Sequence, residues 1–289
     1  MKQRAARLAL ALLGALALAS CHPAPMKVHP ALWEVTGPAG EHGWLFGTVH
    51  ALPRPADWRS PAIDRALSGS DRLVVEIREV TDPAAVARIF RQLATSPGQP
   101  PIDARVQPRL RPQLDALMQR ESVDPAQFAN METWAAAITL ARASAPEAKG
   151  GYGLDAAVIR AAPGKRIEEL EGATRQLEIF DSLPERDQRD LLALTIESGE
   201  GSPADNPIAA WARGDMATIE RATHADILAD PELRAALLVD RNRDWTGKIA
   251  SMLHSGAHPF VAVGAAHMAG KDGLPAMLAA QGFTVKRVQ

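Results

Sequence analysis

The sequence predicts one α/β domain with α+β character, in which a mixed central β-sheet is formed by the N- and C-terminal segments and carries a large helical insertion or cap. Three observations lead there. Apolar β-like runs gather toward both ends of the chain, the stretch from Asp82 to Gly256 is mostly helical in pattern, and the last thirty or so residues read strand, helix, strand. No internal repeat and no linker long enough to divide domains interrupts this order.

Composition supports a packed core. The 289 residues are 46% hydrophobic and 23% charged, ordinary values for a globular protein. Lys and Arg (32) nearly balance Asp and Glu (34), so the broad positive field that neutralises phosphates is missing and nucleic acid is excluded as a partner. Six Trp against one Tyr are read as core packing.

The first elements are read as an address. Lys2, Arg4 and Arg7 precede an apolar run from Leu8 to Ala19, too short to span a membrane and of secretory length. The run closes with Leu18-Ala19-Ser20-Cys21, which resembles the bacterial lipobox. Residues 1–20 are therefore read as a lipoprotein signal peptide, Cys21 as the lipidated new N-terminus, 21–30 as a Pro-containing tether and 31–289 as the domain. Acyl chains contribute about 0.8 kcal/mol per buried methylene, so several together make a stable membrane anchor. His22 follows the cysteine in place of an acidic retention signal, which points to a periplasm-facing protein of the cell envelope, at the outer membrane of a Gram-negative source. Cys21 is also the sole cysteine, so neither a disulfide framework nor a thiolate metal cluster supports the fold.

Within the domain, Ala31–Val35 and Gly43–Val49 read as two strands joined through Gly37-Pro38-Ala39-Gly40, a hairpin loop. Pro61–Leu67 reads as a short helix and Arg72–Ile77 as a strand buried on both faces, in which Glu76 is out of character. Helix starts are marked by Asp82-Pro83, Asp124-Pro125 and Asp230-Pro231, and by a capping box at Ser182-Leu183-Pro184-Glu185. Lys165–Leu170 reads as an edge or parallel strand, Pro259–Val263 as a buried strand, Asp272–Gln281 as a helix and Phe283–Val288 as the last strand.

Several familiar motifs fail in context. Gly151-Tyr152-Gly153-Leu154-Asp155-Ala156 matches a loose dinucleotide pattern but follows a loop, and Gly264 to Lys271 has the wrong spacing and lacks the hydroxyl of a phosphate loop. No H-E-x-x-H, paired C-x-x-C or G-x-S-x-G occurs.

Two segments share one grammar. Trp44-Leu45-Phe46-Gly47-Thr48-Val49-His50 and Phe260-Val261-Ala262-Val263-Gly264-Ala265-Ala266-His267 each place a histidine three residues beyond a strand-ending glycine. Such a glycine permits a sharp turn and close backbone approach, so each imidazole can be aimed into the crevice past the strand ends. Neutral imidazole binds first-row divalent metals, and Glu76 is read either as a third ligand or as the base that activates water. A strand-end carboxylate facing water is the ordinary alternative for Glu76. The remaining histidines lack this setting and are read as surface residues.

Taken together, Leu32-Trp33-Glu34-Val35, Leu45 to His50, Val74-Val75-Glu76-Ile77, Gly153-Leu154-Asp155, Leu170-Glu171-Gly172 with Gln176, Trp211 to Asp215, Arg241-Asn242-Arg243-Asp244-Trp245 and Val263 to Gly270 resemble the TraB/PrgY/GumN family over nearly the whole domain. That family is related to the Tiki proteases, which are divalent-metal-dependent peptidases, and more distantly to erythromycin esterases and a haem-binding lipoprotein group. The resemblance implies a metal site of Mn, Co or Zn type on His50, His267 and Glu76, with Glu76, Arg241 and Asn242 as catalytic residues. A guanidinium near such an ion would stabilise a forming oxyanion. A surface ion pair is the alternative for Arg241, and Asp155 is read first as a helix cap and second as a residue of the site. Two functions follow as expectations: a hydrolase acting on a peptide or small molecule, or a non-catalytic lipoprotein that binds haem, metal or a peptide signal.

Overall fold

The computed structural model describes residues 24–145, 152–197 and 206–289; the segment read as a signal peptide, 1–20, and Cys21 lie outside them. The described residues form the strands β1 (Met26–Lys27), β2 (Leu32–Thr36), β3 (His42–Thr48), β4 (Ala56–Asp57), β5 (Arg72–Val75), β6 (Arg166–Glu169), β7 (Pro259–Gly264) and β8 (Thr284–Arg287). Six of them make a mixed sheet in the order β6-β5-β7-β3-β2-β8, and β1 and β4 make a small parallel pair. The hairpin of β2 and β3 is antiparallel, as the Gly-Pro loop between them predicts, and β8 closes the sheet antiparallel to β2. The other contacts, β3 with β7, β7 with β5 and β5 with β6, are parallel. The sheet is thus assembled from both ends of the chain, with β6 alone contributed from the helical middle.

Parallel strands must be covered on both faces, and period-two alternation divides the apolar residues accordingly. Phe46, Leu73 and Phe260 point to one side, against Leu154, Val158 and Trp211. Leu45, Val74 and Val261 point to the other, against Trp245, Ile249, Leu253 and Leu278. The helices are α1 (Pro61–Gly69), α2 (Pro83–Leu93), α3 (Arg111–Arg120), α4 (Thr133–Ser144), α5 (Leu154–Arg160), α6 (Gly172–Asp181), α7 (Glu185–Glu197), α8 (Pro207–Ala212), α9 (Met216–Ala222), α10 (Pro231–Arg234), α11 (Asp240–His254) and α12 (Leu274–Ala280), with a π-turn at Ala235–Val239 joining α10 to α11. Helices α3, α4 and α7 gather a separate core around Leu114, Leu117, Trp134, Leu140 and Leu192, which is the predicted cap. Arg105, 2% exposed, is held in that cap by donating to the carbonyls of Pro100, Phe128 and Met131. Three carbonyl partners offset the cost of burying its charge.

The Asp-Pro helix starts behave as their chemistry demands, whereas the capping box and part of the tether do not. Asp82, Asp124 and Asp230 each accept a backbone N–H at a helix start followed by proline. The capping box at Ser182 is not made. Ser182 ends α6 and donates to the Ile179 carbonyl, while Glu185 Oε1 accepts from Thr133 and Arg189. The segment read as a tether also differs in part. Met26 and Lys27 pair with Ala56 and Asp57, and Val28 is 4% exposed, because an apolar residue close to the domain gains more from burial than from a free leash.

Candidate active site

Neighbouring parallel strands β6, β5, β7 and β3 deliver their C-terminal ends to one edge of the sheet, where open α/β sheets hold their ligands. The functional side chains stand just past those ends. Glu76 follows β5 directly rather than lying inside it, Glu171 follows β6, His50 follows β3, and His267 lies on a 3-10 turn (Ala265–Met268) after β7. Register places Gly47 opposite Val263 and Thr48 opposite Gly264, so the two glycine-histidine segments end side by side, one residue out of step.

A single point shows the convergence. A Cβ built on Gly264 would lie 3.3 Å from Glu76 Oε1, 3.7 Å from His267 Cδ2 and 3.9 Å from His50 Nε2. The three residues singled out from the sequence therefore face one small space. The role of the glycines is corrected by the same geometry. Neither lies in the left-handed region, and Gly264 has φ −50° and ψ 136°, values open to any residue. Gly264 is needed for room at the site, and Gly47 because a Cβ there would press on the Cβ of Ala265 at 3.3 Å.

Glu76 is 5% exposed and fully engaged. Its Oε1 accepts the Gly264 N–H at 2.7 Å, and its Oε2 accepts from Gln176 Nε2 at 3.1 Å and Arg241 Nη2 at 2.9 Å. Burial by itself would raise its pKa, but the imidazoles of His267 and His50, the guanidinium of Arg241 and the Gly264 N–H outweigh it and hold the carboxyl at about 2. Since His267 is itself neutral at neutral pH, the pull there comes from His50 and Arg241. So acidic a carboxylate is a poor proton acceptor, which favours Glu76 as a fixed anion or ligand over Glu76 as a base.

The two histidines are held differently. His267, 6% exposed, shares its Nδ1 with Asn242 Oδ1 at 2.6 Å, and Asn242 Nδ2 donates to the Asp272 carbonyl at 2.6 Å. That second bond fixes the amide, so Nδ1 carries the proton and Nε2 keeps a lone pair. Burial lowers the pKa of His267 to about 3, against the pull of Glu76, and keeps the ring neutral. His50 instead stands at the mouth with its side chain 68% exposed, its Nδ1 2.8 Å from Asp155 Oδ2. The Asp155 charge and hydrogen bond push its pKa up to about 9, a pull that water at the exposed ring screens.

Arg241 and Asn242 are neighbours on α11 and serve different partners. Arg241 reaches Glu76 and is also paired with Glu171, whose side chain is 2% exposed, while its guanidinium lies 4.6 Å from the centre of the Trp245 ring. It is a site residue, not a surface ion pair. Trp245 also meets His267, at a ring separation of 4.4 Å. Asp155 does not cap its helix. The cap position is Gly153, with no side-chain cap bond, and the Asp155 carboxylate accepts from Thr48 and His50. Sequence reasoning thus missed Glu171, Thr48 and Trp245 as site residues, ranked a site role for Asp155 below a helix cap, and quoted Gln176 without a role. A signal for Glu171 existed: a carboxylate just past a strand end, the same one that picked out Glu76.

The donor chemistry suits a divalent ion at the imidazoles, since each has Nδ1 anchored by an oxygen and Nε2 left over. Among the described residues, no group of three or more His, Cys, Asp or Glu side chains stands at ligating geometry, so the fit rests on the two histidines with Glu76 nearby.

The family model described as TraB/PrgY/gumN matches residues 31–287. Two similar proteins, each an uncharacterized protein YbaP, one from Shigella flexneri and one from Escherichia coli (strain K12), are 24% identical over 266 residues, covering 86% of this chain and 92% of theirs. No solved structure matches the chain.

Proposed function

The chain belongs to the TraB/PrgY/gumN family, and from its strand-end site we propose that it is an exported, metal-dependent hydrolase that cleaves an acyl bond, a peptide first of all. The observation that carries this reading is the approach of His50 Nε2, His267 Cδ2 and Glu76 Oε1 to one point beside Gly264. His50 and His267 are the residues that would hold the ion, with Glu76 as the nearby anion. A divalent ion of Mn, Co or Zn type would supply Lewis acidity for a carbonyl and for water. Asp155 and Asn242 fix the tautomers of the two rings, and Arg241 offers an N–H to the oxygen on which negative charge develops. Trp245, fully buried, excludes water from one side of this group. Because the His50 Nε2 proton must leave before an ion binds, metal uptake releases protons and weakens in acid. In this reading Cys21 carries the lipid, and the domain faces the periplasm from the outer membrane.

The test uses the full-length chain in detergent, loaded with Mn, Co or Zn and presented with a mixed peptide pool. Cleavage is expected in the wild type and absent in His267→Ala. Equal cleavage by both, or tight haem or peptide binding without turnover, contradicts the enzymatic reading, and the second of these supports a binding lipoprotein.

A further inference from the structure

Arg241 has five N–H groups, and their partners define what the residue can recognise. Nε donates to Glu171 Oε2 at 3.1 Å, and Nη2 donates to Glu171 Oε1 at 2.5 Å and to Glu76 Oε2 at 2.9 Å. Nη1 donates to the Leu237 carbonyl one turn earlier on its own helix, at 3.0 Å. Among the described residues this leaves one Nη1–H without a partner. The edge of the guanidinium that would grip a carboxylate or phosphate with two parallel bonds is occupied by Glu171. Glu171 is itself pinned, because its own N–H and that of Gly172 both donate to the Glu76 carbonyl, and Gly172 takes φ 78° to make that turn.

We infer that Glu171 is a positioning residue that restricts Arg241 to a single free donor, so that the site takes a neutral acyl group, an amide or ester with one developing oxyanion, and rejects phosphate and carboxylate groups. This rests on the hydrolase reading for the reaction, but the restriction on Arg241 stands on geometry alone. A guanidinium with a free fork would bind the anionic ground state of such compounds. One with a single N–H rewards only the oxygen that gains charge in the transition state.

The experiment pairs turnover with binding of inorganic phosphate to the full-length chain, followed by phosphorus NMR line broadening. Glu171→Gln is expected to bind phosphate at least about tenfold more tightly than the wild type, and Arg241→Ala in the same background is expected to abolish the gain. Peptide turnover by Glu171→Gln is expected to fall in kcat by about 10–100-fold with KM little changed. Phosphate binding as tight in the wild type as in Glu171→Gln, or a gain that survives Arg241→Ala, overturns the inference. A wild type without turnover, alongside an Arg241-dependent gain in phosphate binding, removes the hydrolase reading and leaves the positioning role standing. Should Glu171→Gln fail to fold, Glu171→Asp decides, since its shorter carboxylate releases one of the paired bonds; unchanged phosphate binding there also overturns the inference.

Discussion

His50 and His267 follow the same strand-glycine-histidine pattern on adjacent parallel strands, and their surroundings drive them in opposite directions. His267 is buried on a neutral amide and stays uncharged, whereas His50 sits at the mouth on a carboxylate and holds its proton. What each ring rests on, a carbonyl-type oxygen or an anion, is decided outside the motif, by α11 for one and by the first turn of α5 for the other. A shared motif fixes where a side chain stands; its ionisation is set by residues far away in the sequence.

The largest effect expected is on turnover. His267→Ala and His50→Ala should each lower it by about 10²–10⁴-fold, and a variant with full activity would break the pairing of the two rings. Exchanging their supports sharpens the contrast. Asp155→Asn should bring the His50 pKa down from about 9 toward its ordinary value, and Asn242→Asp should raise that of His267 from about 3, both read by histidine NMR titration. Asp155→Asn should weaken divalent-ion affinity by about 10–100-fold.

Stability against pH follows with opposite signs. The depressed pKa of His267 means stability is lost as pH falls from 6.5 toward about 3, on the order of a few kcal/mol. The raised pKa of His50 means its contribution is present below 6.5 and lost as pH rises toward about 9. Thermal unfolding of the metal-free chain should therefore peak near pH 6.5, with His267→Asn flattening the acid arm and His50→Asn the alkaline arm. The smallest effect separates the glycines. Gly47→Ala should cost about 1 kcal/mol by crowding Ala265, measured by denaturant unfolding, whereas Gly264→Ala should leave stability within about 0.5 kcal/mol and lower activity.

Much of this arrangement was legible before any coordinates. The strands at both ends, the hairpin, the Asp-Pro helix starts and the pairing of the glycine-histidine segments follow from local apolar runs and turn chemistry, which act over a few residues. Asp155 was misread because a carboxylate in the first turn of a helix has a local explanation, a cap, while its true partners lie 105 and 107 residues away. Ser182-x-x-Glu185 failed for a related reason, as Glu185 is drawn to Thr133 on another helix. Arg241 was singled out through the resemblance, while its own surroundings in the sequence read equally well as a surface ion pair; the sheet's register is what brings Glu76 and Glu171 beneath it. Glu76 and the histidines were found because each breaks the pattern of its own strand end.

The most direct measurement is calorimetric titration of the metal-free, full-length chain with cobalt or zinc at neutral pH, for wild type, His50→Ala and His267→Ala. One ion per chain, with affinity lowered at least about 100-fold in both variants, is the expected result. Wild-type affinity retained in either variant would show that the two rings do not share an ion.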